Sequence, residues 1–557
     1  MQFLTKAAKI ARSAMMMCAA TLTLAACNDS GFGAQGIAAG GTSGAATSGS
    51  SDGSGGFTSG SGGGSSGGST STSAPGVTIG GTVSGLSGSG LVLRDNGVDS
   101  LSVAANGAFA FATPVATGSS YAVTVATQPG APAQSCVVSS GSGTASNTNV
   151  TTVSVVCRII GQFAYTANNS SGNVSGFTID AATGALRPIP GNPVAAGPSP
   201  AVVSLTPSGK FAFVATSSGL KIAAFAIDPV SGALTPVSGS PFTTPFVKGQ
   251  PYPGIAVEPR GKFLYLTSLG DGQIAGFAID PTTGVLTPVP GSPFISGPSA
   301  SGLPAFSPDG NFLYVTNQSV PGSISGYSID PGTGTLTSVP GSPFRTGNMP
   351  TWISLVASGK FAYVANTGSN SISAYAVDST TGALTQLAGS PYYFGGQHPG
   401  NLTIDASGTH LYVPNSVSND ISVLSIATDT GALTEVSGSP FAAGAGPSLV
   451  SIEPTGHFAY VASGGGNDIH GYAIDAATGG LTALPGSPYA AGAKPLFVTV
   501  DPSGKYAYTA NEQSADISGY AIDATSGVLT PVPGGPFTTG ILPFQVSISP
   551  EAPGTRD

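Results

Sequence analysis

Side chains able to do acid, base or nucleophilic chemistry are scarce in this sequence. Of 557 residues, four are histidine, 16 are Lys or Arg and 25 are Asp or Glu. His398 has the most suggestive context, following Tyr392-Tyr393-Phe394-Gly395-Gly396-Gln397 and preceding Pro399. A histidine in a Gly-containing aromatic loop could contact a ligand or move a proton near neutral pH. Lys248, Arg345, Lys494 and Glu512 fall in loops expected at the same end of the fold. With Trp352, Tyr392, Tyr393 and Asn511 they could line a polar and aromatic pocket suited to a sugar or a peptide. Glu512, His398 and Arg345 are the candidates for a catalytic role. The competing reading of each is a scattered loop charge, and of Asn511 a turn cap. His410 and His457 stand in turns where other units have Lys or Asn, and are expected to be solvated turn residues. His470 is expected in a strand, packed or exposed. With no second histidine on the face of His398, a histidine-based zinc site is not expected. Asn415–Asp420 and Asn467-Asp468 lack the spacing of a calcium loop. No phosphate loop, nucleophile elbow or metalloprotease helix motif is present, so no cofactor is expected.

The elements that position these residues come from a repeat. From about residue 159, a "Tyr/Phe-x-Ile-Asp" strand ending followed by "(T/S)-G-x-L" returns about every 50 residues, near Asp180, Asp228, Asp280, Asp330, Asp378, Asp429, Asp475 and Asp523. A "G-S-P-(F/Y)" tail recurs with it, at Pro193 through Pro536. Each unit reads as four strands; in the fifth these are Trp352–Val356, Phe361–Asn366, Ser371–Val377 and Ala383–Leu387. A four-strand unit of this length is a propeller blade. The first unit lacks its innermost strand, and Gln545–Ile548 remains over after the last. Pairing the two closes the ring and removes an open edge. The expected fold is all-β: an eight-bladed β-propeller over residues 159–550, closed by the C-terminal strand.

The rest of the chain gives the setting. Residues 1–27 read as a leader, with Lys6, Lys9 and Arg12 before an apolar stretch ending Leu24-Ala25-Ala26-Cys27, which resembles a bacterial lipobox. The expectation is a lipid on Cys27, hence a membrane partner and a cell-envelope location. By analogy Asn28 leans towards the outer membrane. Residues 28–76 are a Gly/Ser/Thr tether unable to bury a core. Residues 77–157 alternate in short apolar runs separated by turn residues, the spacing of a small β-sandwich. Cys136 and Cys157 are the pair left once Cys18 and Cys27 are set aside, and a disulfide is the default in an oxidising compartment. The formal net charge of −9 becomes −12 without the three leader cations, and no basic run exists. Nucleic acid is therefore an unsuitable partner. A monomer is expected.

Gly359-Lys360-Phe361-Ala362-Tyr363-Val364-Ala365-Asn366 and Tyr506-Ala507-Tyr508-Thr509-Ala510-Asn511-Glu512 resemble the YVTN-type repeats of lactonase-like propellers, over roughly residues 160–550. That family includes 6-phosphogluconolactonases, so the resemblance implies lactone hydrolysis as one activity. Its known enzymes have seven blades. The resemblance also implies an Arg-His pair where one innermost strand starts, then Asn-Glu at the end of the next strand. Asn511-Glu512 matches the second part. Leu496-Phe497 occupies the first, and the equivalents in other units contain neither Arg nor His. The reading is thus a binding or scaffold propeller of the envelope, with a lactone hydrolase using Glu512, His398 and Arg345 as the alternative.

Overall fold

The computed structural model describes residues 76–549, apart from 87, 130–133, 160–162, 219, 230, 247–253, 269–270 and 298–301. Cys27, the tether up to residue 75 and Lys248 lie outside the described residues. Two compact units are present, meeting in sequence at Arg158 and Ile159.

The first unit holds two four-stranded sheets. One orders Gly107–Ala110, Ile79–Ser84, Val150–Ile159 and Gln134–Ser139; the other orders Asp99–Val103, Leu91–Asp95, Ser120–Thr127 and Ser142–Thr144. Inward positions of both sheets, among them Ile79, Leu91, Leu93, Tyr121, Val153 and Val155, share one core. Cys136 and Cys157, each 2% exposed, join neighbouring strands through a disulfide.

The second unit is a ring of eight sheets with one repeated topology. In the fifth, Pro350–Leu355 (innermost, a), Phe361–Asn366 (b), Ser371–Val377 (c) and Leu384–Gln386 (d) pair in sequence order, all antiparallel. A short fifth strand, Tyr392–Tyr393, returns to pair with the start of c. The b-strand explains the repeat's apolar run, because all six of its residues are buried. Phe361, Tyr363 and Ala365 pack towards the sixth sheet, whereas Ala362 and Val364 pack towards the fourth. Aromatic side chains on one face therefore meet aliphatic ones on the next sheet. The first sheet is completed by Pro543–Ile548, whose Ile548, Ser547 and Val546 pair with Ala164, Tyr165 and Thr166 of Phe163–Asn168. That closure is the one expected from the left-over strand, which begins two residues earlier than read from sequence.

Adjacent sheets are clasped by the glycine of "(T/S)-G-x-L". Gly382 has φ +71°, and a Cβ there would sit 2.3 Å from the Phe312 ring of the preceding sheet. No other residue meets both demands, the left-handed backbone and the close approach. The carbonyl of the same glycine accepts a hydrogen bond from the buried Tyr314 hydroxyl, at 2.8 Å. The same bond recurs from Tyr165, Tyr265, Tyr363, Tyr412, Tyr460 and Tyr508, over 2.7–3.3 Å. Tyr508 donates to Gly184, which joins the eighth sheet to the first. The second sheet has Phe213 at this position and no such bond.

Two details of the repeat differ from the sequence reading. Asp378 accepts from the backbone N–H groups of Thr380 and Thr381 in its turn, at 2.9 and 2.8 Å. In the sixth sheet that position is Ala427, whose N–H bonds Ala432 as Asp378 bonds Ala383, so Asp429 is not the equivalent residue. His410 is not a solvated turn residue. It takes the place of Phe312 in the clasp, 6% exposed, with its ring over Gly479 and Nδ1 2.9 Å from Asp405. His457 is exposed in its turn, as expected.

Candidate functional site

The d–a and b–c connections meet at one end of the ring, around the mouth of its channel. Just before an innermost strand, the chain adopts a left-handed backbone at Ser199, Met349, His398, Gly446, Lys494 and Leu542. The carbonyls of Ser199, Met349, His398, Lys494 and Leu542 each accept the N–H of the residue that follows the adjacent b-strand. The fold therefore sets those two positions face to face in these five sheets. In the sixth, His398 Nδ1 lies 2.8 Å from Ser416 Oγ. In the eighth, Lys494 and Glu512 form an ion pair, both side chains largely covered. Burial pushes the His398 imidazole below its usual pKa, which favours the neutral ring.

Three asparagines hold this rim, two of them in the segments weighed and set aside as calcium loops in the sequence reading and none of them expected there as a rim residue. Asn370, Asn419 and Asn467 each end a b–c turn with positive φ. Their Oδ1 atoms accept the N–H of His398, Gly446 and Lys494, each at 2.8 Å. The available signal was an Asn directly before a c-strand, since Asn tolerates the left-handed region.

The innermost strands begin with an irregular register, as between Pro495 and Val498 or Pro447 and Val450. The position where the family resemblance implies Arg-His falls in this bulge. Leu496 and Phe497 fill it, 5% and 1% exposed, with the Phe497 ring 5.6 Å from that of Phe544. Further down the channel the hydroxyls of these strands bond the next innermost strand. Ser354 donates to Leu402 at 2.9 Å, Thr403 to Val450 at 2.7 Å, Thr499 to Val546 at 2.8 Å and Ser547 to Val203 at 2.7 Å. Ser451 donates to Val498 in the same way. These hydroxyls tie neighbouring innermost strands, whose backbones pair among the described residues only at the isolated Asn401–Leu449 bridge.

The single pocket drawn from sequence divides. Trp352 is buried at 8% exposure in the core between the fifth and sixth sheets, and its indole N–H donates to Ser354 at 2.9 Å; it offers no free ring. Asn511 is fully buried, and its Nδ2 donates to Asp516 and Ser518 of the c-strand, so it fastens b to c rather than facing a ligand. Asn168, Asn317, Asn366 and Asn415 do the same. His470 occupies the c-strand position that is serine in those sheets; it is packed, 3.4 Å from Asp468. Tyr392 is partly covered and donates its hydroxyl to Ala388. Arg345 and Tyr393 come together elsewhere, in the wall of an open cleft of about 250 Å³ between the fourth and fifth sheets. Neither His398 nor Glu512 lines that cleft. The three catalytic candidates thus lie on different sheets, with Arg345 on the outer rim.

The family model described as "Lactonase, 7-bladed beta-propeller" matches residues 133–247, 205–344, 255–445 and 437–536. No curated protein matches the sequence. Among solved structures, the chain is similar to the periplasmic gluconolactonase PpgL of Pseudomonas aeruginosa, with 21% identity, a TM-score of 0.46, and coverage of 59% of this chain and 96% of that one. It is also similar to a protein provisionally assigned as a 6-phosphogluconolactonase from Bacteroides uniformis, with 18% identity, a TM-score of 0.46, and coverage of 59% and 94%. A third is a protein from Lactobacillus plantarum, with 18% identity, a TM-score of 0.45, and coverage of 70% and 99%. The matched segments together span residues 133–536, well over half of the sequence, and the chain belongs to the lactonase-like β-propeller family, with eight sheets where the family's description has seven blades.

Proposed function

We propose that this propeller binds a ligand without turning it over, in the bacterial cell envelope, held to the membrane by a lipid on Cys27. The observation that carries the reading is the content of the innermost-strand starts. They present Ala201-Val202, Gly254, Gly302-Leu303, Thr351-Trp352, Gly400-Asn401, Ser448-Leu449, Leu496-Phe497 and Phe544-Gln545. Lactone hydrolysis needs a base or metal to make a nucleophile and a donor to hold the oxyanion. Among the described residues, the Glu512 carboxylate at the mouth is engaged with Lys494.

The alternative is lactone hydrolysis with Glu512 as base. What favours it is that Glu512 and Lys494 sit together at the channel mouth, with His398 two sheets away on the same rim. The experiment is hydrolysis of glucono-δ-lactone by the full-length chain, followed by pH-stat. Binding without turnover predicts a rate equal to that of buffer. A rate above buffer that disappears in Glu512→Gln overturns the binding reading in favour of the hydrolase.

A further inference from the structure

The short fifth strands decorate the outer rim of the loop-bearing face. Their second residues, once per sheet, are Ala195, Thr243, Ile295, Arg345, Tyr393, Ala442, Ala490 and Thr538. Five of the eight are Ala or Thr, all exposed. The third, fourth and fifth sheets depart from this pattern with three large side chains. Ile295 is 80% exposed and Tyr393 72% exposed, and packing explains neither. The Arg345 guanidinium has no hydrogen-bond or ion-pair partner among the described residues, in a chain whose net charge is −9. Arg345 and Tyr393 are joined across the cleft by Thr346, Asn348, Ser369 and Gln386.

The floor of this cleft is fixed before any ligand arrives. The Arg345 carbonyl accepts the Tyr375 hydroxyl. Thr346 Oγ1 and the Gly347 N–H both donate to buried Asn366 Oδ1, at 2.8 and 3.0 Å. The Asn348 N–H donates to Ser369 Oγ at 3.1 Å. Gln386 Nε2 donates to Ser390, which fixes its amide and leaves Oε1 as an acceptor. An exposed tyrosine face, two amides, an uncommitted guanidinium and no acid describe one ligand chemistry. The aromatic face stacks on a sugar ring, the amides bond its hydroxyls, and the guanidinium takes a carboxylate in a forked pair. The cleft's volume suits one or two sugar units.

We propose that the cleft between Arg345 and Tyr393 binds an acidic saccharide, one uronate unit of a longer chain, with its carboxylate on Arg345. This rests on the binding reading above and names its site. The test is calorimetric titration of the full-length chain with a galacturonate oligomer, a neutral galactose oligomer and an acidic peptide. The galacturonate oligomer is expected to bind and to weaken with added salt, and the neutral oligomer to bind about tenfold less well. Arg345→Gln and Tyr393→Ala, both at exposed positions, are each expected to lose about tenfold in affinity. Arg345→Lys should recover part of it, and His457→Gln, at an exposed turn outside the cleft, should leave it unchanged. Absence of binding to the intact chain overturns the proposal. So does binding that Arg345→Gln leaves intact, or a peptide that binds more tightly than the galacturonate oligomer. Lactone turnover would sink the parent reading alone, whereas a failed titration with no turnover removes only this site.

Discussion

Replacing Phe213 by Tyr should stabilise the ring. Seven of its eight junctions carry a tyrosine hydroxyl bonded to the carbonyl of the clasp glycine, and the junction after the second sheet does not. The geometry there is otherwise the same. A Cβ on Gly284 would lie 2.4 Å from the Phe211 ring, as one on Gly382 would lie 2.3 Å from Phe312. Phe213 is fully buried and packs towards the third sheet, so its para carbon points where Tyr314 points in its own junction. A new neutral hydrogen bond to a buried carbonyl contributes about 1 kcal/mol net. The reverse change, Tyr363→Phe, leaves the Gly431 carbonyl without its partner and should cost about 1–3 kcal/mol. With a urea slope of about 3 kcal/mol/M, the first shift is about +0.3 M in midpoint. Equilibrium unfolding of the two single variants and the double variant measures both. The changes lie on well-separated sheets and should add. A Phe213→Tyr variant no more stable than the parent, alongside a neutral Tyr363→Phe, would refute the idea that these hydroxyls hold the sheets together.

Burial raises the pKa of Tyr165, Tyr265, Tyr314, Tyr363, Tyr412, Tyr460 and Tyr508 above the usual 10.0. The folded chain then holds protons that the unfolded chain releases, so stability is full below pH 10 and falls as pH rises above it. Alkaline unfolding should be steep, and tyrosinate absorbance should appear together with loss of the β signal in circular dichroism. Gly382→Ala combines a left-handed backbone with a clash against Phe312 and should destabilise by about 2–5 kcal/mol. Gly389→Ala, with φ +82° and its nearest neighbour at 3.6 Å, should lose only the backbone part, about 1–2 kcal/mol. Thermal melts of the two variants compare these terms directly. The His398 pKa is lowered by burial, so its contribution to stability is full above pH 6.5 and is lost as pH falls towards the folded value. Nuclear magnetic resonance titration should place the His398 midpoint below 6.5, and a midpoint at or above 6.5 would contradict the burial argument.

Much of the fold was legible because a propeller writes its architecture at short range. Each sheet's strands, turns and left-handed glycines lie within about 50 residues, so period and turn chemistry were enough to place them. The unpaired strand at the C-terminus then fixed closure by elimination. Side-chain fate was different. Phe361 and Tyr363 face a neighbouring sheet whose residues reach as far along the chain as Leu433, and no local pattern says which face of a b-strand is inside. His410 was misjudged for that reason: its turn looks solvated, but the next sheet's Gly479 lies against its ring. Trp352 and Asn511 failed as ligand contacts because their burial comes from the sheet alongside and from the c-strand. The sequence could name Arg345, Tyr393, Lys494 and Glu512 as loop residues at one end. Their separation into a rim cleft and a mouth ion pair was decided by radius, since the short fifth strand pairs with c, far from the channel that the innermost strands line. Distance from the ring axis is a property of the assembled sheets and has no signature in residue spacing.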